Sequence, residues 1–282
     1  MNILEIEKLT KNYKKFSLDN ISFTLPEGAI MGLIGENGAG KTTIINLITG
    51  AVKKSGGKIK IFGKDSEGLS EDDFALIGTV LADCSFPEEM NVSMAEKVFS
   101  GLYKNWDREK FFGYTEKFGL PLKKKIKTFS TGMKMRLEIS VALSHNARLL
   151  ILDEVTNGLD PAARMDVLDM LLDFIQDERC SVLISSHIVG DLEKICDYIT
   201  FINKGRLVFS ENKDDLLDEY AIINIDDARI NELDENAVIA VNKTSCSQTA
   251  LVLKDKIPRG FECQKAGIED IMLYYIKRSE KQ

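Results

Sequence analysis

The segment Gly35-Glu36-Asn37-Gly38-Ala39-Gly40-Lys41-Thr42 constrains this chain more than any other. It satisfies G-x-x-x-x-G-K-[ST], a loop that cradles phosphates. The apolar run 29–34 before it suits a buried strand, and residues 41–49 after it read as a helix stopped by Gly50. Glycines let the backbone curl so that successive N–H groups converge on phosphate oxygens, and the new helix adds partial positive charge at its N-terminus. In this reading Gly35, Glu36, Asn37, Gly38, Ala39, Gly40 and Thr43 form the nucleotide-binding turn, Lys41 neutralises the β- and γ-phosphates, and the Thr42 hydroxyl ligates Mg²⁺.

Such a loop needs an acid at the end of a neighbouring strand to hold the metal. Leu149-Leu150-Ile151-Leu152-Asp153 supplies one, and Glu154 follows directly. Adjacent side chains diverge at a strand tip. Asp153 is therefore expected to face the metal and Glu154 the γ-phosphate, where Glu154 would polarise the attacking water.

Alternation at Leu4 and Ile6 and again at Ile21, Phe23 and Leu25 predicts strands ahead of the loop. Between 84 and 146 only helices are expected. One is opened by Ser93 and Glu96 at capping-box spacing, with Met94, Val98 and Leu102 on one face; the others are opened by Asp107 and by Ser130. Strand signals return at 149–152 and 182–184. Between them Asp160-Pro161 opens a helix carrying Met165, Leu168, Leu172 and Ile175. A hairpin is expected around Asn203-Lys204-Gly205. The sum is an α/β fold over 1–220, a P-loop nucleoside triphosphatase with a mainly parallel sheet and a helical insertion at about 84–146. Residues 221–282 read as a small appended α+β piece with no visible chemistry.

GENGAGKTT, FSTGMKMRL, LLILDEVTNGLDP and ISSH, in this order, resemble the nucleotide-binding subunit of an ATP-binding-cassette (ABC) transporter over roughly residues 2–220. The resemblance implies an ABC-type ATPase domain with an antiparallel β subdomain, and further roles. Ser130 and Gly132 occupy the family signature, usually LSGGQ, and would face the γ-phosphate of ATP bound on a second subunit. Residues 157–160, ending in Asp160, match the loop that bridges the two sites. His187 matches the switch histidine at the γ-phosphate, and Tyr13 the aromatic that stacks on adenine. ATP and Mg²⁺ are the implied cofactors. The implied partners are a second ATPase subunit, identical or paralogous, and separate membrane permease subunits. Three departures stand out. Thr131 and Met133 replace the usual Gly and Gln of the signature, and Val155 stands where proline is usual. Ala82, with Asp83 beside it, stands where a metal-sensing glutamine is expected. The signature, the missing glutamine and the segment Tyr103-Lys104-Asn105-Trp106-Asp107 resemble the subgroup serving bacterial multidrug or antibiotic exporters.

Composition narrows the alternatives. With 37 Lys plus Arg against 44 Asp plus Glu, the net charge of −7 argues against broad binding to nucleic acid. The five cysteines lack metal-ligand spacing and suit a reduced, cytoplasmic setting. The N-terminus has the character of no signal peptide and no run is long enough to cross a bilayer, so membrane attachment is expected through the permease. The rival readings are soluble ABC ATPases. A ribosome-associated protein would resemble two fused cassettes, whereas one P-loop and one signature occur here. A chromosome or DNA-repair ATPase would carry long heptad repeats between Gly40 and Ser130, and none is present. A metallocluster-assembly scaffold is the closest rival.

Overall fold

The computed structural model describes the chain apart from residues 82–85, 227–228, 235, 244–247, 259 and 281–282. The Ala82 and Asp83 expectation therefore lies outside the described residues. Strands β1 (Asn2–Asn12) and β2 (Ser17–Pro26) form an antiparallel pair, followed by β3 (Ile30–Ile34) and helix α1 (Lys41–Ile48). Next come β4 (Gly56–Ile61), β5 (Lys64–Asp65), the single turn α2 (Glu71–Phe74) and β6 (Ile77–Val80). The helical insertion holds α3 (Val92–Leu102), α4 (Arg108–Lys117) and α5 (Thr131–Ala142). The chain then returns through β7 (Leu149–Asp153), α6 (Pro161–Phe174), β8 (Ser181–Ser185), α7 (Val189–Ile195), β9 (Tyr198–Asn203) and β10 (Arg206–Asn212). Beyond α8 (Lys213–Glu219) lie β11 (Tyr220–Asn224), β12 (Val238–Lys243), β13 (Gln248–Leu253), β14 (Cys263–Lys265) and α9 (Ile268–Glu280).

Among the described residues these strands form three sheets. The antiparallel sheet has the order β2-β1-β4-β5, the central one β10-β9-β3-β8-β7-β6, and the C-terminal one β12-β13-β11-β14. In the central sheet β9, β3, β8, β7 and β6 run parallel and β10 closes one edge antiparallel. Its inner strands β3, β7 and β8 are buried on both faces, and their period of two divides the core. Ile30, Ile34, Leu150, Leu152, Val182 and Ile184 face the helical side. Met31, Leu33, Leu149, Ile151 and Leu183 face the side of α1 and the antiparallel sheet. At Lys204 and Gly205, φ values of 47° and 77° give the two left-handed positions of a tight hairpin turn between β9 and β10.

Three local expectations are corrected. The N-cap of α3 is Asn91, which accepts from the Met94 amide at 2.9 Å; the capping box expected at Ser93 and Glu96 does not form. Met94, Val98 and Leu102 are exposed, while Val92, Ala95 and Glu96 face inward. In α6 the buried set is Ala163, Val167, Leu168, Met170 and Leu171; of the expected stripe Leu168 is buried and Ile175 half-buried against the core, whereas Met165 and Leu172 are exposed. Finally, β7 is not adjacent to β3: β8 lies between them, with Ser185 in register with both Leu33 and Asp153.

Candidate active site

The C-terminal ends of β3, β7 and β8 converge on one edge of the central sheet, the place where ligands bind in open parallel sheets. The loop after β3 turns with φ of 80° at Gly38 and 116° at Gly40, the N-cap of α1. At Gly40 a Cβ would lie 2.6 Å from Leu18 Cδ2 and 2.9 Å from Phe16 Cζ, so only glycine permits this approach of the loop to the β1–β2 turn. At Gly38 a Cβ would meet nothing within 4 Å, because the loop borders open space. That space is a cleft of about 640 Å³ lined by Phe16, residues of the glycine-rich loop from Glu36 to Thr43, Glu154, Asn157 and His187.

Lys41 is buried, 6% exposed, and its ammonium donates to the carbonyls of Gly35 at 2.7 Å and Glu36 at 3.3 Å. Glu154 Oε1 stands 3.5 Å from the same nitrogen. The second oxygen, Oε2, lies 2.6 Å from His187 Nδ1 and accepts from the His187 amide at 3.3 Å. Glu154 has φ of 54°, a left-handed conformation that a non-glycine residue seldom adopts. Its amide is held by the carbonyl and hydroxyl oxygens of Ser185, both at 3.1 Å. The strand tip therefore turns sharply between Asp153 and Glu154. Asp153 stays buried and accepts from the Ser185 hydroxyl, while Glu154 swings into the cleft. Ser185 was not singled out from sequence. Its place in ISSH was the available signal, and its function as the bridge between β3 and β7 depends on the strand order.

The remaining expected residues divide between the cleft and a second surface. Tyr13 is 47% exposed, with Lys11 Nζ 5.1 Å from its ring centroid, and the aromatic side chain that lines the cleft from the same turn is Phe16. Gly35 and Ala39 are buried in the wall of the loop, while Thr42 is exposed and Thr43 half-buried at the mouth. Ser130, Gly132 and Asp160 lie outside the cleft. Ser130 caps α5, accepting from the Met133 amide at 3.2 Å. Gly132 packs on Leu159 so closely that a Cβ would sit 3.1 Å from Leu159 Cδ2. Asp160 caps α6 through the Ala163 amide at 3.0 Å and pairs with Arg136 of α5 at 3.3 Å. The Ala163 amide, with the Arg136 guanidinium a lesser contributor, holds the Asp160 carboxyl below the usual carboxylate range. The tip of α5 is thus tied to Leu159 and Asp160 outside the cleft of their own chain, while Asn157 at the start of the same loop lines that cleft.

The family model described as ABC transporter matches residues 18–157. The uncharacterised ABC transporter ATP-binding protein YhcH of Bacillus subtilis (strain 168) is 34% identical over 221 residues, covering 77% of this chain and 72% of that protein. The lantibiotic transport ATP-binding protein SrtF of Streptococcus pyogenes is 34% identical over 223 residues, covering 75% of this chain and 92% of that protein. A solved ATP-binding subunit of an ABC transporter superposes with a TM-score of 0.67 at 26% identity, covering 76% of this chain and 91% of that one. With the order of its motifs, its three-sheet fold and these relatives in agreement, the chain belongs to the ATP-binding subunits of ABC transporters, enzymes that hydrolyse ATP to drive transport.

Proposed function

We propose that the cleft binds Mg–ATP, that Glu154 is its general base, and that the subunit energises export of an antibiotic-type compound through separate membrane permeases. The observation that carries the reading is the convergence of Lys41, Glu154 and His187 on one cleft beside the glycine-rich loop. The Lys41 ammonium is held by carbonyls of its own loop, poised to exchange them for phosphate oxygens. Glu154 would orient water and accept its proton, and His187 would hold the carboxylate and approach the γ-phosphate.

The donor set fits Mg²⁺. Among the described residues no cluster of three or more His, Cys, Asp or Glu forms a dedicated metal cage. A hydroxyl at Thr42 and a carboxylate at Asp153 suit an ion that keeps waters and takes its other ligands from substrate phosphates. Bound there, it would neutralise charge developing on the phosphates.

The exposed signature tip and its link to residues 157–160 support a composite site. Two copies, or this chain and a paralogue, would close so that Ser130, Gly132 and Asp160 of one complete the cleft of the other. Among the described residues no helix is long and apolar enough to cross a membrane. Contact with the inner face of the cell membrane would therefore come through the permease, seated on the helical insertion. Support comes from Met94, Val98 and Leu102, which form an exposed apolar stripe on α3; Leu122, also exposed, lies beside its N-terminus, where Ser93 donates to the Leu122 carbonyl. The antibiotic-type cargo is supported by the relative named for lantibiotic transport, and the export direction by the resemblance of the signature and of residues 103–107 to the exporter subgroup. We place the division between ATPase unit and appendage near residue 220, where β11 begins.

Membrane fractionation with and without the cognate permease, with ribosome and DNA co-sedimentation alongside, tests this function. Permease-dependent recovery in membranes is expected. Sedimentation with ribosomes or DNA and never with membranes would replace the transporter reading by a soluble ABC ATPase.

A further inference from the structure

Helix α7 begins two residues after His187, and its two acids reach opposite neighbours. Asp191, 4% exposed, pairs with Arg164 of α6 at 3.5 Å, which ties α7 to the helix that carries Asp160 at its N-cap. Glu193 reaches the other way. Its Oε2 accepts from the Ile268 amide at 3.4 Å at the start of α9, and its backbone carbonyl accepts from Lys213 Nζ at 2.9 Å. Gly267 sits against the same carboxylate, for a Cβ there would lie 3.6 Å from Glu193 Oε2.

Packing follows the same route. Ile268, Ile271, Tyr274 and Ile276 of α9 are buried in the cluster that holds Val189, Leu192 and Ile195 of α7, whereas the far face of the C-terminal sheet has its own core around Ile223 and Val252. A second tie fixes the far end of α9 to the central sheet, since Asn203 Nδ2 at the end of β9 donates to Ser279 Oγ at 3.0 Å. The C-terminal helix is thus built onto the segment that follows the switch histidine, and a shift of the appendage has a direct mechanical path to it.

We propose that Glu193 is a positioning residue through which the C-terminal unit sets the placement of His187 on Glu154, and with it the rate of ATP turnover. The proposal rests on the assignment of His187 and Glu154 to the hydrolytic site. Glu193 touches neither nucleotide cleft nor catalytic side chain; it acts through α7. It also borders an open cleft of about 610 Å³ between α8, β14 and α7, so a changed side chain at this position has room and leaves the core packing intact.

The chain has two histidines, His145 and His187, so selective ¹³C-histidine labelling of the full-length protein gives two resolvable signals. His145→Gln assigns them. In Glu193→Ala the His187 signal is expected to move and kcat for ATP to fall between about 2- and 30-fold, the span for substitutions acting through a packed network, with KM unchanged. Glu193→Gln keeps an acceptor for the Ile268 amide and should restore most of both. Lys194→Ala, on the exposed side of the same helix, should move neither. A His187 signal in Glu193→Ala that superposes on wild type, or an unchanged kcat, overturns the proposal. His187→Ala separates this from the underlying assignment: if it hydrolyses ATP normally, the catalytic role of His187 fails, whereas the spectral response to Glu193→Ala still reports the mechanical link.

Discussion

Glu154 Oε2 lies 2.6 Å from His187 Nδ1 while Oε1 of the same carboxylate stands 3.5 Å from Lys41 Nζ. One side chain therefore spans the cleft from the glycine-rich loop to the segment after β8. Its left-handed backbone, φ of 54°, is what aims it there, and the two oxygens of Ser185 hold that conformation. Binding of a polyphosphate to Lys41 would compete with the Lys41–Glu154 contact and release the carboxylate toward water, which would couple substrate arrival to the base role proposed for Glu154.

Glu154→Gln is expected to bind ATP and to lose turnover by about 10²–10⁴-fold, because glutamine preserves shape and removes the base. Single-turnover hydrolysis with size-exclusion chromatography in ATP, with and without Mg²⁺, checks both halves. The variant should accumulate as a closed dimer. Turnover at the wild-type rate would show that another group activates water.

Lys41→Ala should lose both hydrolysis and nucleotide affinity. Each charge-assisted hydrogen bond to phosphate contributes about 1.5–3 kcal/mol, so at least a ~10-fold weaker Kd is expected by calorimetry. Because Lys41 is buried beneath its own loop, thermal melting should accompany the titration to separate lost affinity from lost fold. Near-normal affinity would remove Lys41 from the phosphate site.

The sheet and the helix starts are legible in the sequence because their signals are local. The run before Gly35 is buried on both faces, the Asp160-Pro161 start is an N-cap, and Ser130 caps the signature helix. What depends on distant packing was not. The strand order puts β8 between β3 and β7 and makes Ser185 the bridge, which no local pattern encodes. The stripe Met94, Val98 and Leu102 reads as a core face by periodicity, yet it is the exposed side of α3. An apolar helical face meant for a partner has the same period as one meant for the core, so sequence cannot separate them. Likewise the turn 13–16 offers two aromatics, and only the fold shows that Phe16 lines the cleft.

The insertion should lose stability in mild acid through His145. This ring is buried, stacked on Tyr103 with centroids 4.0 Å apart, and Nδ1 donates to the Ala75 carbonyl at 3.0 Å. Burial lowers its pKa from the ordinary 6.5, so the folded chain keeps it neutral while the unfolded chain protonates first. Unfolding then takes up a proton below pH 6.5, and stability falls as pH drops through the interval between the unfolded and folded values. Thermal melts of wild type and His145→Phe, which keeps a stacking ring, should diverge in pH dependence below pH 6.5 and run parallel above it. Parallel curves throughout would show that His145 titrates alike in both states.

The docking surface can be probed without disturbing the fold, and the choice of residues matters. Glu89 is a poor probe, since it pairs with Lys125 at 2.5 Å and Lys127 at 2.6 Å across the insertion; Lys125 first and then Lys127 lower its carboxyl to about 2. Phe86 and Met90 are half-buried against the core. Met94 and Leu102, by contrast, are 49% and 67% exposed, two turns apart on the same face of α3. Met94→Asp with Leu102→Asp should change stability by no more than about 0.5 kcal/mol per site, as for ordinary surface positions. If this stripe is where the permease seats, a pair of charges there would leave apolar partner surface facing carboxylates. Permease-dependent recovery in membranes should then fall, while ATP binding by the isolated subunit stays as in wild type. The comparison is membrane fractionation of wild type and the double variant at matched expression, with melting curves for both. Undiminished recovery of a well-folded double variant would move the docking site off α3.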